Sequence, residues 1–242
     1  MTQKKSDGFL EIAKTVGYAI LIALVIRSFL YEPFRIPSGS MIPSLLIGDY
    51  LFVAKYSYGY SKYSFPFSPD VFSGRVMEGQ PKRGDVAVFR QPPHPDIDFI
   101  KRIVGLPGDH IQMKGGILYI NDVAVIRERI ADYVDEQGNS FIQYIETLPN
   151  GVKHRIIEAE GDQGRLDNTD VFVVPPDHYF AMGDNRDDSS DSRTDVVGYV
   201  PAENLVGRAD IIFFSTDGSA RWWEVWKLPF AIRFARFFDL IT

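Results

Sequence analysis

Residues 13–31 make up the only apolar run of membrane length in the chain. A helix over them, rising ~1.5 Å per residue, is about 28 Å long, close to the hydrocarbon thickness of a bilayer. Its charges, Lys14 and Arg27, lie toward the ends, where long side chains reach the interface. Lys4, Lys5 and Lys14 precede the apolar centre, so the positive-inside tendency directs the N-terminus to the cytoplasm and the body to the far side. Arg27 and Arg35 pull the other way. A cleaved signal peptide or a buried core helix would accommodate the same run. In a signal peptide Ser38 and Ser40 would be the small residues before the cut, but Tyr31-Glu32-Pro33-Phe34-Arg35 makes an overlong, bulky link. A single membrane anchor is therefore expected.

The rest of the sequence is a succession of short strands. Strands are expected over 49–54, 85–90, 97–104, 116–120, 171–174, 178–182 and 209–214, all rich in β-branched and aromatic residues. Gly48-Asp49, Gly84-Asp85, Pro107-Gly108-Asp109 and Asn121-Asp122 mark turns. The 242 residues suffice for one large or two small domains with a core. Residues 112–176 read as an inserted, more polar subdomain, and the acidic stretch 158–162 within it as a solvated loop. A net charge of −6 leaves no basic face for nucleic acid. The absence of cysteine excludes a disulfide scaffold, a thiol nucleophile and thiolate metal sites. The 18 Phe and 12 Tyr suit strands, a lipid interface, or both. Two aromatic stretches leave that choice open. Residues 56–72 read as an extended hairpin or loop, either packed on the fold or facing lipid. In the tail, 221–242, Arg233/Arg236 and Phe234/Phe237 are each three apart, which suits a short amphipathic helix on a membrane or docked on the body.

Just after the apolar run stands Ile36-Pro37-Ser38-Gly39-Ser40-Met41, two hydroxyls around a glycine between apolar neighbours. An open backbone with little steric cover suits a hydroxyl nucleophile, which then needs a base. None of the four histidines, His94, His110, His154 and His178, sits in a triad-like motif, and they read as surface or structural. Asp187, Asp188 and Asp191 lack the glycine and distal glutamate of a calcium loop. Lys101 interrupts an apolar strand and by period-two alternation shares a face with Phe99 and Ile103. An ordinary lysine is neutral in only about one molecule in 2,500 at pH 7; burial that lowers its pKa by ~3 units, at about 4 kcal/mol, makes it a usable base. Two other readings stand beside this: a lysine pointing outward while Arg102 points inward, or a charged edge-strand residue.

Four separated motifs, in order, resemble the type I signal peptidase (leader peptidase) family of membrane-anchored Ser-Lys proteases. They are Ile36-Pro37-Ser38-Gly39-Ser40-Met41 continuing through Pro43-Ser44-Leu45-Leu46-Ile47-Gly48-Asp49; Arg83-Gly84-Asp85-Val86-Ala87-Val88-Phe89; Phe99-Ile100-Lys101-Arg102-Ile103-Val104-Gly105-Leu106-Pro107-Gly108-Asp109; and Met182-Gly183-Asp184-Asn185-Arg186-Asp187-Asp188-Ser189-Ser190-Asp191-Ser192-Arg193. The resemblance implies Ser40 as nucleophile and Lys101 as general base, with Ser38 and the Ser40 N–H as the oxyanion hole. It implies that Ser189 orients the lysine amine and that Gly183 lets backbone approach that lysine. Asp191 and Arg193 would form a buttressing ion pair. Phe34, Ile36, Pro37, Met41, Leu45, Phe99 and Ile100 would contact substrate, in shallow pockets that accept alanine-like residues. Asp188 stands where the family often has asparagine, two residues are added between Arg193 and Gly198, and a second N-terminal span is absent.

The resemblance further implies a mainly β fold. A cytoplasmic segment (1–12) and one transmembrane helix (13–31) precede an antiparallel catalytic domain (32–111 and 177–220) with an inserted β subdomain (112–176) and the aromatic tail (221–242). The expected activity is removal of signal peptides from exported preproteins at the outer, periplasmic face of the inner membrane, with a phospholipid partner and without cofactor or metal. Two other readings remain: a specialised maturation peptidase of a conjugation or secretion system, and an inactive membrane-tethered binding module.

Overall fold

The computed structural model describes residues 3–70, 72–220 and 223–242. Met1, Thr2, Val71, Arg221 and Trp222, which fall in the expected N-terminal segment, aromatic stretch and tail, lie outside these. The chain opens with a helix, α1 (Gln3–Phe29). Its apolar part, Phe9–Phe29, has a mean hydropathy of 2.0, is long enough to cross a membrane and is not covered by the body. The helix thus ends two residues before the expected boundary, because Tyr31 already pairs with Ala54 as the first residue of a strand.

Among the described residues, fifteen strands follow. β1 (Tyr31–Arg35), β2 (Asp49–Ala54), β3 (Val86–Arg90) and β4 (Asp98–Gly105) come first. β5 (His110–Lys114), β6 (Ile117–Ile120), β7 (Val123–Ala124), β8 (Ile126–Arg129), β9 (Tyr133–Val134), β10 (Ser140–Thr147), β11 (Lys153–Glu158) and β12 (Phe172–Val173) form the middle. β13 (His178–Met182), β14 (Val200–Pro201) and β15 (Leu205–Ser215) complete them. Seven strands make the principal antiparallel sheet, ordered β1-β2-β15-β3-β4-β13-β14, and the middle strands make two further sheets, β12-β5-β6-β7 and β11-β10-β8 with β9. Pro33 sits in the edge strand β1, where its missing N–H costs no ladder bond.

β3 lies at the centre of the principal sheet, and its Val-Ala-Val-Phe run is buried throughout. Alternation sends Val86 and Val88 to one core cluster with Ile36, Met41, Leu45 and Leu51, and Ala87 and Phe89 to another with Ile103, Tyr179 and Leu205. A strand covered on both faces reads as a continuous apolar run, which is why it carries no polar alternation. Across the sheet Ala87 pairs with Lys101, so a lysine enters the covered part of the sheet. β13 pairs with β4 only from Arg102 to Gly105, ending at Met182. Among the described residues, the part of β4 before Arg102 has no strand partner on that side.

Of the two shapes expected for 56–72, an extended hairpin or a loop, the chain takes the loop, interrupted by two short 3₁₀ turns, Lys55–Ser57 and Lys62–Ser64. Its aromatics gather at the foot of α1, where Phe29 meets the Tyr60 and Phe65 rings at 5.5 and 5.6 Å. The tail is not one amphipathic helix: it makes a four-residue helix, α2 (Leu228–Ala231), and a 3₁₀ turn (Phe234–Arg236), then bridges back to β15 at Ile211–Leu240. Arg233 and Arg236 point inward to protein acceptors, and that pulls the tail onto the body. In the acidic stretch, Glu158 is buried rather than solvated, held by Arg127 at 3.0 Å.

Candidate active site

Ser40 sits in the turn between β1 and β2, a loop whose ends meet. Ile36 N–H donates to Asp49 O at 2.8 Å, and Gly48 N–H donates to Ile36 O at 3.0 Å. The segment after Met182 packs beneath this turn. Asn185 donates from its backbone to Ser40 O at 3.1 Å and from its side chain to Gly39 O at 3.2 Å. The turn is thereby set against β4, and the Lys101 Nζ donates to Ser40 Oγ at 2.7 Å. The same amine donates to Ile100 O at 3.0 Å and lies 5.2 Å from the centre of the Phe99 ring.

Lys101 is 3% exposed, and burial brings its pKa down from 10.5 to about 8, with Asp191, Asp184 and Asp188 opposing from a distance. Among the described residues, no carboxylate is within ion-pair reach of the amine. Those nearest in effect are already engaged. The Asp191 carboxylate takes Arg193 Nε and Nη2 at 2.9 and 2.8 Å and the Gly183 N–H at 3.0 Å. Burial alone would raise Asp191, but the Arg193 guanidinium and the Gly183 and Arg193 N–H groups hold it below the usual range. Asp184 receives Arg102 Nε and Nη2 at 2.9 and 2.8 Å and the Ser44 hydroxyl at 2.5 Å. Burial pushes Asp184 up as well, but Arg102, with His154 and the Ser44 hydroxyl, leaves it lowered on balance.

A cavity of about 260 Å³ opens at the pair, lined by Ser38, Gly39, Ser40, Phe99, Lys101, Asp188 and Ser190. Ser38 is exposed there. Among the described residues, neither its hydroxyl nor the Ser40 N–H has an intramolecular partner, which leaves two donors free at the cavity. Gly183 is required by close approach: a Cβ there would stand 2.2 Å from Ser189 Oγ and 2.5 Å from Ser40 O. The approach it permits brings Ser40 and Ser189 against its backbone. Ser189 is buried, yet among the described residues its hydroxyl has no partner, and the second acceptor at Nζ is Ile100 O in its place.

Of the seven expected substrate contacts, only Phe99 lines the cavity. Ile36, Met41 and Leu45 are 2%, 0% and 0% exposed, because the turn folds inward and uses them to close the first core cluster. Phe34 and Ile100 pack against that cluster from outside, and Pro37 is exposed away from it. What the sequence reading missed is the polar layer below. Arg102, fully buried, also donates to Gly84 O and Thr242 O at 2.8 and 2.9 Å. His154, another buried group, stands 3.3 Å from Glu146, which Arg186 grips at 2.6 Å. The string Gly-Asp-Asn-Arg and an arginine inside an apolar strand were the available signals.

A hydroxyl joined to a desolvated amine at an open cavity on an antiparallel sheet is the arrangement of serine hydrolases that use lysine in place of histidine. Comparison with known proteins narrows that class. The family described as "Signal peptidase, peptidase S26" matches residues 9–214. Signal peptidase I of Rickettsia canadensis is 44% identical over 219 residues, 87% of this chain and 81% of that protein. Signal peptidase I of Rickettsia typhi is 46% identical over 215 residues, 86% of this chain and 80% of that protein. A crystal structure of a signal peptidase I from Enterococcus faecalis V583 has 23% identity and a TM-score of 0.32, covering 53% of this chain and 96% of that one. The chain belongs to the S26 signal peptidase family, and with it to the serine endopeptidases.

Proposed function

We propose that this protein is a membrane-anchored endopeptidase that removes signal peptides from exported preproteins, with Ser40 as nucleophile and Lys101 as general base. The observation that carries the reading is the 2.7 Å bond between a buried amine without a counter-ion and the Ser40 hydroxyl. At a pKa of about 8 roughly one lysine in ten is neutral at pH 7. That amine takes the Ser40 proton as Oγ attacks the scissile carbonyl. The Ser40 N–H and the Ser38 hydroxyl receive the developing oxyanion, at roughly 3 kcal/mol each. The Lys101 ammonium then protonates the leaving amine, and the acyl-enzyme is hydrolysed by water, with Lys101 again as base.

The unpartnered part of β4 before Arg102 suits an extended substrate added as a strand, and the small cavity favours small side chains at the cut, after small-x-small. We read α1 as the single anchor in the inner membrane, with Lys4, Lys5 and Lys14 on the cytoplasmic side and the catalytic body on the periplasmic face. Purified protein in detergent is expected to cleave a preprotein after small-x-small, and Ser40→Ala or Lys101→Met to lose about 10³-fold or more of the rate. Cleavage undiminished in either variant sinks the pair.

A further inference from the structure

The turn that bears Ser40 is closed by Asp49, whose side chain is wholly buried. Its Oδ2 accepts the Leu46 N–H at 2.8 Å, and its Oδ1 accepts the Ser215 hydroxyl at 2.6 Å. The cation on this carboxylate comes from the far end of the chain. Arg236 places Nε 3.0 Å from Oδ1 and Nη2 2.6 Å from Oδ2, and the same Nη2 donates to Ser44 O at 3.0 Å. One planar guanidinium therefore joins the residue that closes the turn to a carbonyl four residues beyond the nucleophile. Arg233 adds a second hold, donating through Nη1 to Ile47 O at 2.9 Å and to Thr216 O at 3.1 Å. From the opposite side the Ser44 hydroxyl is tied to Asp184.

We propose that Arg236 is a positioning residue for Ser40: with Arg233 it fixes the turn so that Ser40 Oγ stays within reach of the Lys101 amine. It does not line the catalytic cavity and has no part in the chemistry itself. The assignment rests on Ser40 being the nucleophile. The geometry asks for an arginine in particular. A lysine would keep a charge at Asp49, but a point charge cannot bridge the carboxylate and the Ser44 carbonyl in one plane. Small displacements of a nucleophile from its attack geometry cost about 10²-fold in rate.

The test is steady-state cleavage of a fluorogenic signal-peptide substrate by full-length protein in detergent. Active sites are counted from the burst of nitrophenol released by a small acyl nitrophenyl ester. Arg236→Gln and Arg236→Lys are expected to lower kcat per counted site by about 10- to 100-fold while KM changes less than about 2-fold. Millimolar guanidinium is expected to restore part of the kcat of Arg236→Gln. If Arg236→Gln does not fold, the same readings on Arg236→Lys decide. A kcat per site equal to wild type, or a loss confined to KM, overturns the assignment. A wild-type enzyme that cleaves the peptide but gives no burst and is unaffected by Ser40→Ala overturns the reading of Ser40 beneath it.

Discussion

The two sides of β4 treat buried cations in opposite ways. Lys101 and Arg102 are adjacent, 3% and 0% exposed. Arg102 spends its donors on the Asp184 carboxylate and the carbonyls of Gly84 and Thr242. Lys101 meets a hydroxyl and a carbonyl, neither of them charged. Lys55 is a useful third case, as buried as Lys101 but with Glu32 at 2.7 Å. Burial lowers its pKa too, but Glu32 pushes back. Burial is thus common to a structural cation and the one proposed as base, and the counter-ion separates them. Asp184 and Asp191 would otherwise serve Lys101, but Arg102 and Arg193 hold them.

The sharpest way to break this contrast is to remove each cation in turn. Arg102→Met leaves Asp184 buried without its partner and is expected to cost about 3–5 kcal/mol, read from urea melts. Lys101→Met should do the reverse for stability. The folded protein holds this lysine near 8 against 10.5 in the unfolded chain. Below pH 8 both states are protonated and the fold bears the full penalty. Between 8 and 10.5 the native state has released the proton that the unfolded chain still binds, so stability rises with pH. The variant is therefore expected to gain about 3 kcal/mol at neutral pH and to lose that alkaline rise. Equal destabilisation by both substitutions would erase the distinction between the two sides.

Smaller effects sharpen it. Arg193→Gln frees the Asp191 charge toward Lys101, and the rising limb of kcat/KM against pH is expected to move up by about one unit. Asp188→Asn removes a carboxylate at the cavity that opposes the lowering of Lys101, so the limb should move down by a few tenths of a unit. Limbs that stay put in both variants would mean that Lys101 does not set the profile.

The contrast also explains what could be read from the chain. Lys101 within Phe99-Ile100 and Ile103-Val104 stood out because a charge in an apolar strand demands a reason. The strands 49–54 and 178–182 were legible to the residue, since local composition decides them. Arg102 was not, because its partners Asp184, Gly84 and Thr242 come from three distant segments. Ile36, Met41 and Leu45 were expected at substrate pockets from the resemblance, and a motif does not show which way its turn folds; here all three are buried in the first core cluster. The tail failed for a related reason: three-residue spacing suggested a helix, but Arg233 and Arg236 found acceptors in the Ser40 turn, and those contacts outweighed the local pattern.

One measurement addresses the pair most directly: an NMR titration of the Lys101 amine in the intact protein in detergent, from neutral to strongly alkaline pH. A midpoint near 8 is expected from burial without a counter-ion. A midpoint at the ordinary lysine value of 10.5 would contradict the account, because the amine would then be too rarely neutral to serve Ser40.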